Sequence, residues 1–166
     1  MFEIKFILHK NITDMQINEI INIKSISWPY SYESQINWIY SNMKNEDIHV
    51  LLYLDKFLIA YLNLIKLEFT IDGLAKNGYG IGNVCSKEKG KGWGRELITN
   101  TNLYLIQNDQ IGLLFCKKIL VAFYKHFKWK EIKKKITLSF NNEIVEAMIF
   151  NWDDDFQNIE YLGKPF

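Results

Sequence analysis

Residues Gly82 to Leu97 (Gly-Asn-Val-Cys-Ser-Lys-Glu-Lys-Gly-Lys-Gly-Trp-Gly-Arg-Glu-Leu) have the types and spacing to hold a phosphate. Gly90, Gly92 and Gly94 alternate with Lys91 and Trp93. Glycine reaches backbone angles closed to other residues, so the chain here can curl with its N–H groups turned inward. The amphipathic segment that follows reads as a helix, whose unpaired first-turn N–H groups and positive dipole end point the same way. Lys89, Lys91 and Arg95 add full positive charge. Strand, glycine loop and helix in that order is the setting in which such a loop holds a phosphate or pyrophosphate. A P-loop would place Lys and Ser or Thr after its second glycine, and a dinucleotide fingerprint would read Gly-x-Gly-x-x-Gly. Here Trp93-Gly94-Arg95-Glu96 follows Gly92 and the glycines alternate strictly, so neither applies. The competing reading is a plain glycine-rich turn.

A second stretch, Gly112 to Trp129, reads as a strand and then a helix carrying Phe123, Tyr124 and Trp129. A tyrosine hydroxyl can protonate a departing thiolate, whose conjugate acid has a pKa of about 8.5. Leu120, Phe123, Tyr124 and Phe127 equally fit the spacing of a core stripe on a helix. Candidate general bases are Glu68, Asp72, His49 and His126; the strand Tyr79–Ser86 has no acidic residue, and the sequence does not rank the four. Cys85 and Cys116 fall on adjacent strands, where an apolar filler is the commoner role and a nucleophilic Cys85 the rarer one. Asp153-Asp154-Asp155 reads as solvated surface or as a lure for a cationic amine.

Taken together, the two stretches resemble the GNAT superfamily of N-acetyltransferases. Its acyl-CoA loop is written Gln/Arg-x-x-Gly-x-Gly/Ala, with Lys89 here at the first position and Gly92 and Gly94 at the small ones. Its later signature, Leu/Phe-Tyr-x-x-x-Gly-Phe/Trp, is matched by Phe123-Tyr124 and Trp129, with Lys128 where the glycine usually stands. Lys117 stands where many members keep an Asn that touches the pantetheine arm. The resemblance implies acetyl-CoA as cosubstrate, lying where the Tyr79–Ser86 and Ile111–Cys116 strands splay apart. Its pantetheine would run along Val84 and Cys85, and its pyrophosphate would take N–H bonds across Gly90, Lys91, Gly92, Trp93, Gly94 and Arg95 beside Lys89. It also implies direct attack by a primary amine of a small molecule or peptide, with Tyr124 as general acid to the CoA thiolate. A more distant likeness to the aminoglycoside 2'-N-acetyltransferases rests on Gly112-Leu113-Leu114 and the Met148–Trp152 run. Polyamine, aminoglycoside, amino acid and peptide N-terminus all stay open as acceptors, as does pairing into a homodimer. The alternative is a non-catalytic CoA-binding or protein-interaction module on the same fold.

The elements that must position these residues follow from periodicity. Glu3–His9 is a strand; Thr13 with Gln16 forms a capping box ahead of a helix that ends before Trp28-Pro29. A second helix covers Tyr32 to Met43, with Ile36, Ile39, Tyr40 and Met43 at helical spacing. Trp28, Tyr30 and Tyr32 lie on the joint between the helices, as core cover or as the wall of a substrate pocket. Ile48–Leu54 and Phe57–Phe69 are strands joined by Asp55-Lys56. Asp72-Gly73 is a turn, Ala75–Gly78 a loop, and Tyr79–Ser86 the strand feeding the glycines. A helix from Gly92 to Asn108 buries Leu97, Ile98, Thr101 and Leu105; Ile111–Cys116 is a buried parallel strand; Ile119–Phe127 is a short helix. Ile132–Phe140 and Glu143–Trp152 read as an antiparallel pair across Asn141-Asn142. The order βααβββαβαββ is mixed α/β (an α+β mixed sheet) in one domain spanning residues 1–166.

Composition sets the outer limits. With 166 residues, 48% hydrophobic and 15% aromatic, the chain can fill a core. A formal net charge of +1 argues against nucleic-acid binding through bulk charge. Two cysteines without Cys/His pairs at ligand spacing give neither a disulfide framework nor a metal site. The apolar runs are too short to span a bilayer, and a cytoplasmic protein is expected.

Overall fold

The computed structural model describes residues 1–140 and 146–166. Nine strands and four α-helices follow in order among them: β1 Phe2–Leu8, α1 Asp14–Ser27, α2 Tyr32–Asn42, β2 Ile48–Leu54, β3 Phe57–Ile71, β4 Leu74–Ser86, α3 Trp93–Gln107, β5 Ile111–Cys116, α4 Val121–His126, β6 Lys130–Glu131, β7 Lys135–Leu138, β8 Glu146–Phe150 and β9 Asn158–Tyr161. The chain divides into two compact units, Met1–Ile65 with Gly82–Thr101, and Lys66–Ile81 with Asn102–Phe166. The long strands β3 and β4 and the helix α3 contribute residues to both.

In the first unit β1 lies antiparallel to β2, from Phe2↔Leu54 to Leu8↔Ile48, and β2 antiparallel to β3. Asp55 and Lys56 both take left-handed angles, φ 48° and 73°, as a two-residue hairpin demands. Helix α1 starts as read: the Thr13 side chain accepts from the Gln16 backbone while the Gln16 side chain accepts from the Thr13 N–H at 3.0 Å. It stops at Ser27, ahead of Trp28-Pro29. Ser31 then caps α2, and buried Gln35 donates to the Trp28 carbonyl at 2.7 Å, tying the two helices at their joint. Ile17, Ile20, Ile21 and Ile23 of α1 and Ile39 of α2 pack with Leu51, Tyr53, Tyr61 and Cys85 into one core. Tyr40, expected on the inner stripe, is exposed.

In the second unit Asp72 and Gly73 close a two-residue hairpin, with φ 49° and 78°, and strand pairing resumes at once. The expected loop Ala75–Gly78 is therefore part of β4. The Asp72 carboxylate accepts from the Gln157 and Asn158 N–H groups at 2.9 and 2.8 Å, which clamps the turn. β4 and β5 run parallel from Gly78↔Ile111 to Ile81↔Leu114, and β5 is antiparallel to β8 on its other edge.

The C-terminal third departs most from the sequence reading. β8 is antiparallel to β5 and to β6, whereas β7 is parallel to β9. Among the described residues the expected antiparallel pair of residues 132–140 with 143–152 does not form: β8 has β5 on one edge and β6 on the other, and β7 pairs with β9 instead. The Asn141-Asn142 turn lies outside the described residues.

Candidate functional site

The first unit holds the glycine loop and the end of the strand that feeds it. Asn83 within β4 takes φ 53°, a left-handed angle inside a strand and the mark of a bulge. Val84 and Cys85 follow it, so the bulge re-aims the backbone at the residues expected to meet the pantetheine. The Lys87 N–H donates to the Ile59 carbonyl of β3 at 2.8 Å, which fixes where the loop leaves the sheet. Gly90 and Gly92 take φ 78° and 79°, with no atom within 4 Å of where a Cβ would stand. Their requirement is conformational, since open space would accept a side chain but the backbone would not. Gly94 is different: it lies in the first turn of α3 and is not left-handed, so it meets the small position of the pattern without the curl expected of it.

The first helical bond runs from the Glu96 N–H to the Gly92 carbonyl at 3.1 Å. The N–H groups of Trp93, Gly94 and Arg95 thus precede the ladder and face outward from the helix start. Lys89, Lys91 and Arg95 are exposed around them, and Lys91 is only loosely paired to Glu88 at 3.8 Å. Backbone donors, the helix dipole and three cations on one exposed loop suit a pyrophosphate. Leu97, Ile98 and Thr101 anchor the helix as expected, each fully buried.

Beneath α1 the same unit buries a polar cluster that sequence reasoning only touched. His49 is fully buried; its Nδ1 shares a hydrogen bond with the Tyr61 hydroxyl at 2.9 Å and its Nε2 one with His9 Nδ1 at 2.9 Å. Burial, with His9 and Lys24 nearby, pulls the His49 pKa down to about 3, so the ring is neutral. Opposite His49 in the β2–β3 register stands Asn63, also fully buried. Its Oδ1 accepts from Asn83 Nδ2 at 3.3 Å, and its Nδ2 has no partner among the described residues. Lys24 of α1 is 3% exposed, with Nζ 4.5 Å from the centroid of the Trp38 ring. Burial lowers its pKa to about 8, and neighbouring Cys85 opposes that shift. The signal for this cluster was a polar residue at an inward position of an apolar strand: His49 in Ile-His-Val-Leu-Leu and Asn63 in Tyr-Leu-Asn-Leu-Ile.

The second unit holds Tyr124. The segment Lys118–Leu120 is a tight 3-10 turn and α4 proper begins at Val121. That shift in phase buries Val121 and Tyr124 and leaves Leu120, Phe123 and Phe127 partly or largely open, so the expected core stripe reduces to the tyrosine. The Tyr124 hydroxyl makes no hydrogen bond among the described residues. Burial, helped by Cys116, pushes its pKa well above the usual tyrosine range and keeps it protonated. Lys128 takes φ 67°, a left-handed angle that favours glycine. The Trp129 N–H reaches the Tyr124 carbonyl and the Lys128 N–H the Lys125 carbonyl, at 3.2 and 3.0 Å, which is the Schellman closure of a helix end. Asn102 of α3 then locks this end, donating to the Phe127 carbonyl at 2.9 Å and accepting from the Trp129 indole at 3.0 Å.

The remaining candidates resolve by position. Glu68 and His126 are exposed, and Asp72 is occupied by its turn. Cys85 and Cys116 are buried thiols with pKa pushed up to about 12 and about 11, the opposite of what a nucleophile needs. Asp153 pairs with Lys130 at 2.7 Å, on the surface. Tyr30 and Tyr32 are exposed and Trp28 half-buried at the helix joint. No group of residues that could hold a metal, and no helix long and apolar enough to cross a membrane, occurs among the described residues.

No protein-family model and no curated protein matches this chain in sequence. Solved structures do match in shape. ElaA of Escherichia coli superposes with a TM-score of 0.65 at 18% identity, covering 90% of this chain and 99% of its own. An acyl-CoA N-acyltransferase of Pseudomonas aeruginosa gives 0.64 at 15%, covering 89% and 98%. An N-acetyltransferase of Staphylococcus aureus gives 0.62 at 19%, covering 90% and 95%. At these identities the likeness establishes the fold, which is that of the GNAT N-acetyltransferases, a mixed α/β architecture.

Proposed function

We propose that the chain is an acetyl-CoA-dependent N-acetyltransferase acting on a primary amine. The observation that carries this reading is the loop Lys89–Arg95, left-handed at Gly90 and Gly92 and opening directly into α3, on a fold shared with acyl-CoA N-acyltransferases. The loop N–H groups from Gly90 to Arg95, with Lys89 and Lys91, hold the pyrophosphate. Backbone at Val84 and Cys85, beyond the Asn83 bulge, aligns the pantetheine and polarises the thioester carbonyl. The amine, having lost its proton, attacks that carbonyl; the C–N bond forms as the C–S bond breaks. Tyr124 gives its phenolic proton to the leaving thiolate and recovers one from solvent. Most of the acceleration comes from positioning.

Binding without turnover is the competing reading, and the lack of any carboxylate in β4 (Leu74–Ser86) favours it. Thiol release from acetyl-CoA in the presence of amines separates the two. Transfer through Tyr124 predicts that Tyr124→Phe lowers kcat by about a hundredfold, the low end of the usual range for one proton donor, and leaves the KM for acetyl-CoA nearly unchanged. Equal turnover in both proteins would remove Tyr124 from the mechanism, and no turnover with acetyl-CoA bound would leave a binding module.

A further inference from the structure

Glycine inside a strand is costly, because it gives up packing and loses the most backbone freedom on folding. Gly80 of β4 has a steric reason to be glycine. A Cβ there would lie 2.6–2.7 Å from three atoms of the Phe166 ring, so that ring rests on bare backbone. Phe115 of β5 tilts against the same ring at 5.2 Å between centroids, and Tyr161 of β9 meets it edge-on at 5.8 Å. Phe140 stands behind these walls, edge-to-face with Phe115 at 5.5 Å and with Tyr161 at 6.3 Å. A glycine floor with aromatic walls makes a slot for one flat ring. Gly80 pairs with Leu113, and the parallel pairing of β4 with β5 ends one step later at Ile81↔Leu114. The slot therefore lies on the last rungs before the two strands part, the place that the acetyl-transfer reading gives to acetyl-CoA.

The ring that fills the slot is lightly held. Residues 162–166 follow β9 without regular structure; Leu162, Lys164 and Pro165 are exposed, and Phe166 itself is only partly buried. Two side-chain hydrogen bonds tie the segment down, from the Ser139 hydroxyl to the Gly163 carbonyl and from the Tyr161 hydroxyl to the Lys164 carbonyl, both at 2.7 Å. The core of this unit is closed without Phe166: Leu113, Leu114, Trp129, Met148 and Ile159 are all fully buried. The slot's contacts recognise a ring and not the chain that carries it. A tethered ring occupies such a slot through its high effective concentration until a free ring competes.

We propose that this slot is an aromatic subsite for the acceptor, a primary amine carrying a phenyl-sized ring that seats on Gly80 as Phe166 withdraws. This rests on the acetyl-transfer reading and narrows it, since polyamines and aminoglycosides have no aromatic ring to place there. A free arylalkylamine and a peptide that begins with an aromatic residue present the same chemistry.

The test measures binding by calorimetry with two matched pairs, phenethylamine against isoamylamine and the tripeptide Phe-Gly-Gly against Leu-Gly-Gly; the pair that shows the preference identifies the source of the ring. Phe166→Ala should bind the aromatic member at least tenfold more tightly than wild type does, and at least tenfold more tightly than the aliphatic member, with the heat of acetyl-CoA binding unchanged. Adding Gly80→Ala to Phe166→Ala puts a methyl on the floor with no ring left to strike; this double variant should melt as Phe166→Ala does and lose the aromatic preference. In the wild type, millimolar amounts of the aromatic member should shift the Gly80 amide resonance and the aliphatic member should not, a readout that needs no substitution. No gain in Phe166→Ala, equal affinity within both pairs, a preference kept in the double variant, or a Gly80 resonance that neither aromatic ligand moves would each overturn the subsite. None of these readouts needs turnover, so a protein that binds the aromatic member yet releases no thiol would contradict the transferase reading and leave the slot standing.

Discussion

The glycine loop of the first unit and the strand glycines of the second are glycine for opposite reasons. In the first, Gly90 and Gly92 have empty space around them and are required for their left-handed angles. In the second, Gly78, Gly80 and Gly112 have ordinary strand angles and no space at all: a Cβ on Gly112 would lie 2.6 Å from the Trp129 ring, and one on Gly80 2.6 Å from Phe166. Asn102 uses both ends of its amide to lock the Tyr124 helix, whereas Asn63 is left with an unmet donor. Both units keep buried polar atoms without a partner among the described residues, Asn63 Nδ2 in the first and Trp152 Nε1 and Asn158 Oδ1 in the second, so it is the open glycine loop that sets the first unit apart.

Substitutions can break this contrast. The largest effect is expected at Gly78, where an added Cβ would lie 2.3 Å from the Ile111 carbonyl oxygen, a backbone atom in the β4–β5 pairing. Gly78→Ala should lose about 3 kcal/mol of stability in denaturant unfolding, at the upper end of overpacking penalties. Gly112→Ala, which meets the Trp129 ring instead, should lose about 2 kcal/mol by the same measurement. Gly92→Ala should lose only about 1 kcal/mol, the penalty of a left-handed alanine, yet weaken acetyl-CoA binding at least tenfold in calorimetry. If Gly92→Ala proved as destabilising as Gly112→Ala, the loop glycine would be structural and the contrast would fail. The smallest effect is a gain: Lys128→Gly relieves a left-handed lysine and should stabilise by about 1 kcal/mol.

Lys24, with its side chain against Trp38, gives a pH signature of the first unit. Lys24 has a pKa of about 8 in the folded chain and 10.5 as its ordinary value, so between these the unfolded chain binds more protons. Stability therefore rises with pH across that window, and the penalty is fully present below it. Lys24→Met should be more stable than wild type at pH 7 and should lose the rise between pH 8 and 10.5 in thermal unfolding. His49 acts in the acid range: neutral in the fold to about 3 and ordinarily protonated below 6.5, it should lower stability as pH falls from 6.5 to 3.

Local chemistry was legible in the sequence and non-local pairing was not. The Thr13–Gln16 box, the stop at Trp28-Pro29 and the two-residue turn at Asp55-Lys56 are decided within a few residues, and each appears as read. The buried face of α3 followed from helical spacing alone. β7 and β9 are four-residue strands whose parallel partnership depends on chain segments far apart, so no short window contains the signal. The loop at Ala75–Gly78 was misread because Gly78 suggests a turn, while it is glycine for close approach to β5. The glycine loop and Tyr124 could be named from motifs. The pairing of His49 with Asn63 could not, because the two meet only once strand register is known.

Calorimetric titration of acetyl-CoA into wild type and Gly92→Val tests the central claim most directly. The loop reading predicts measurable heat and a raised melting temperature for the wild type, since a ligand selective for the folded state must stabilise it, and loss of both in a Gly92→Val protein that remains folded. Absence of heat and of any shift in the wild type at millimolar acetyl-CoA, or undiminished binding in Gly92→Val, would contradict it.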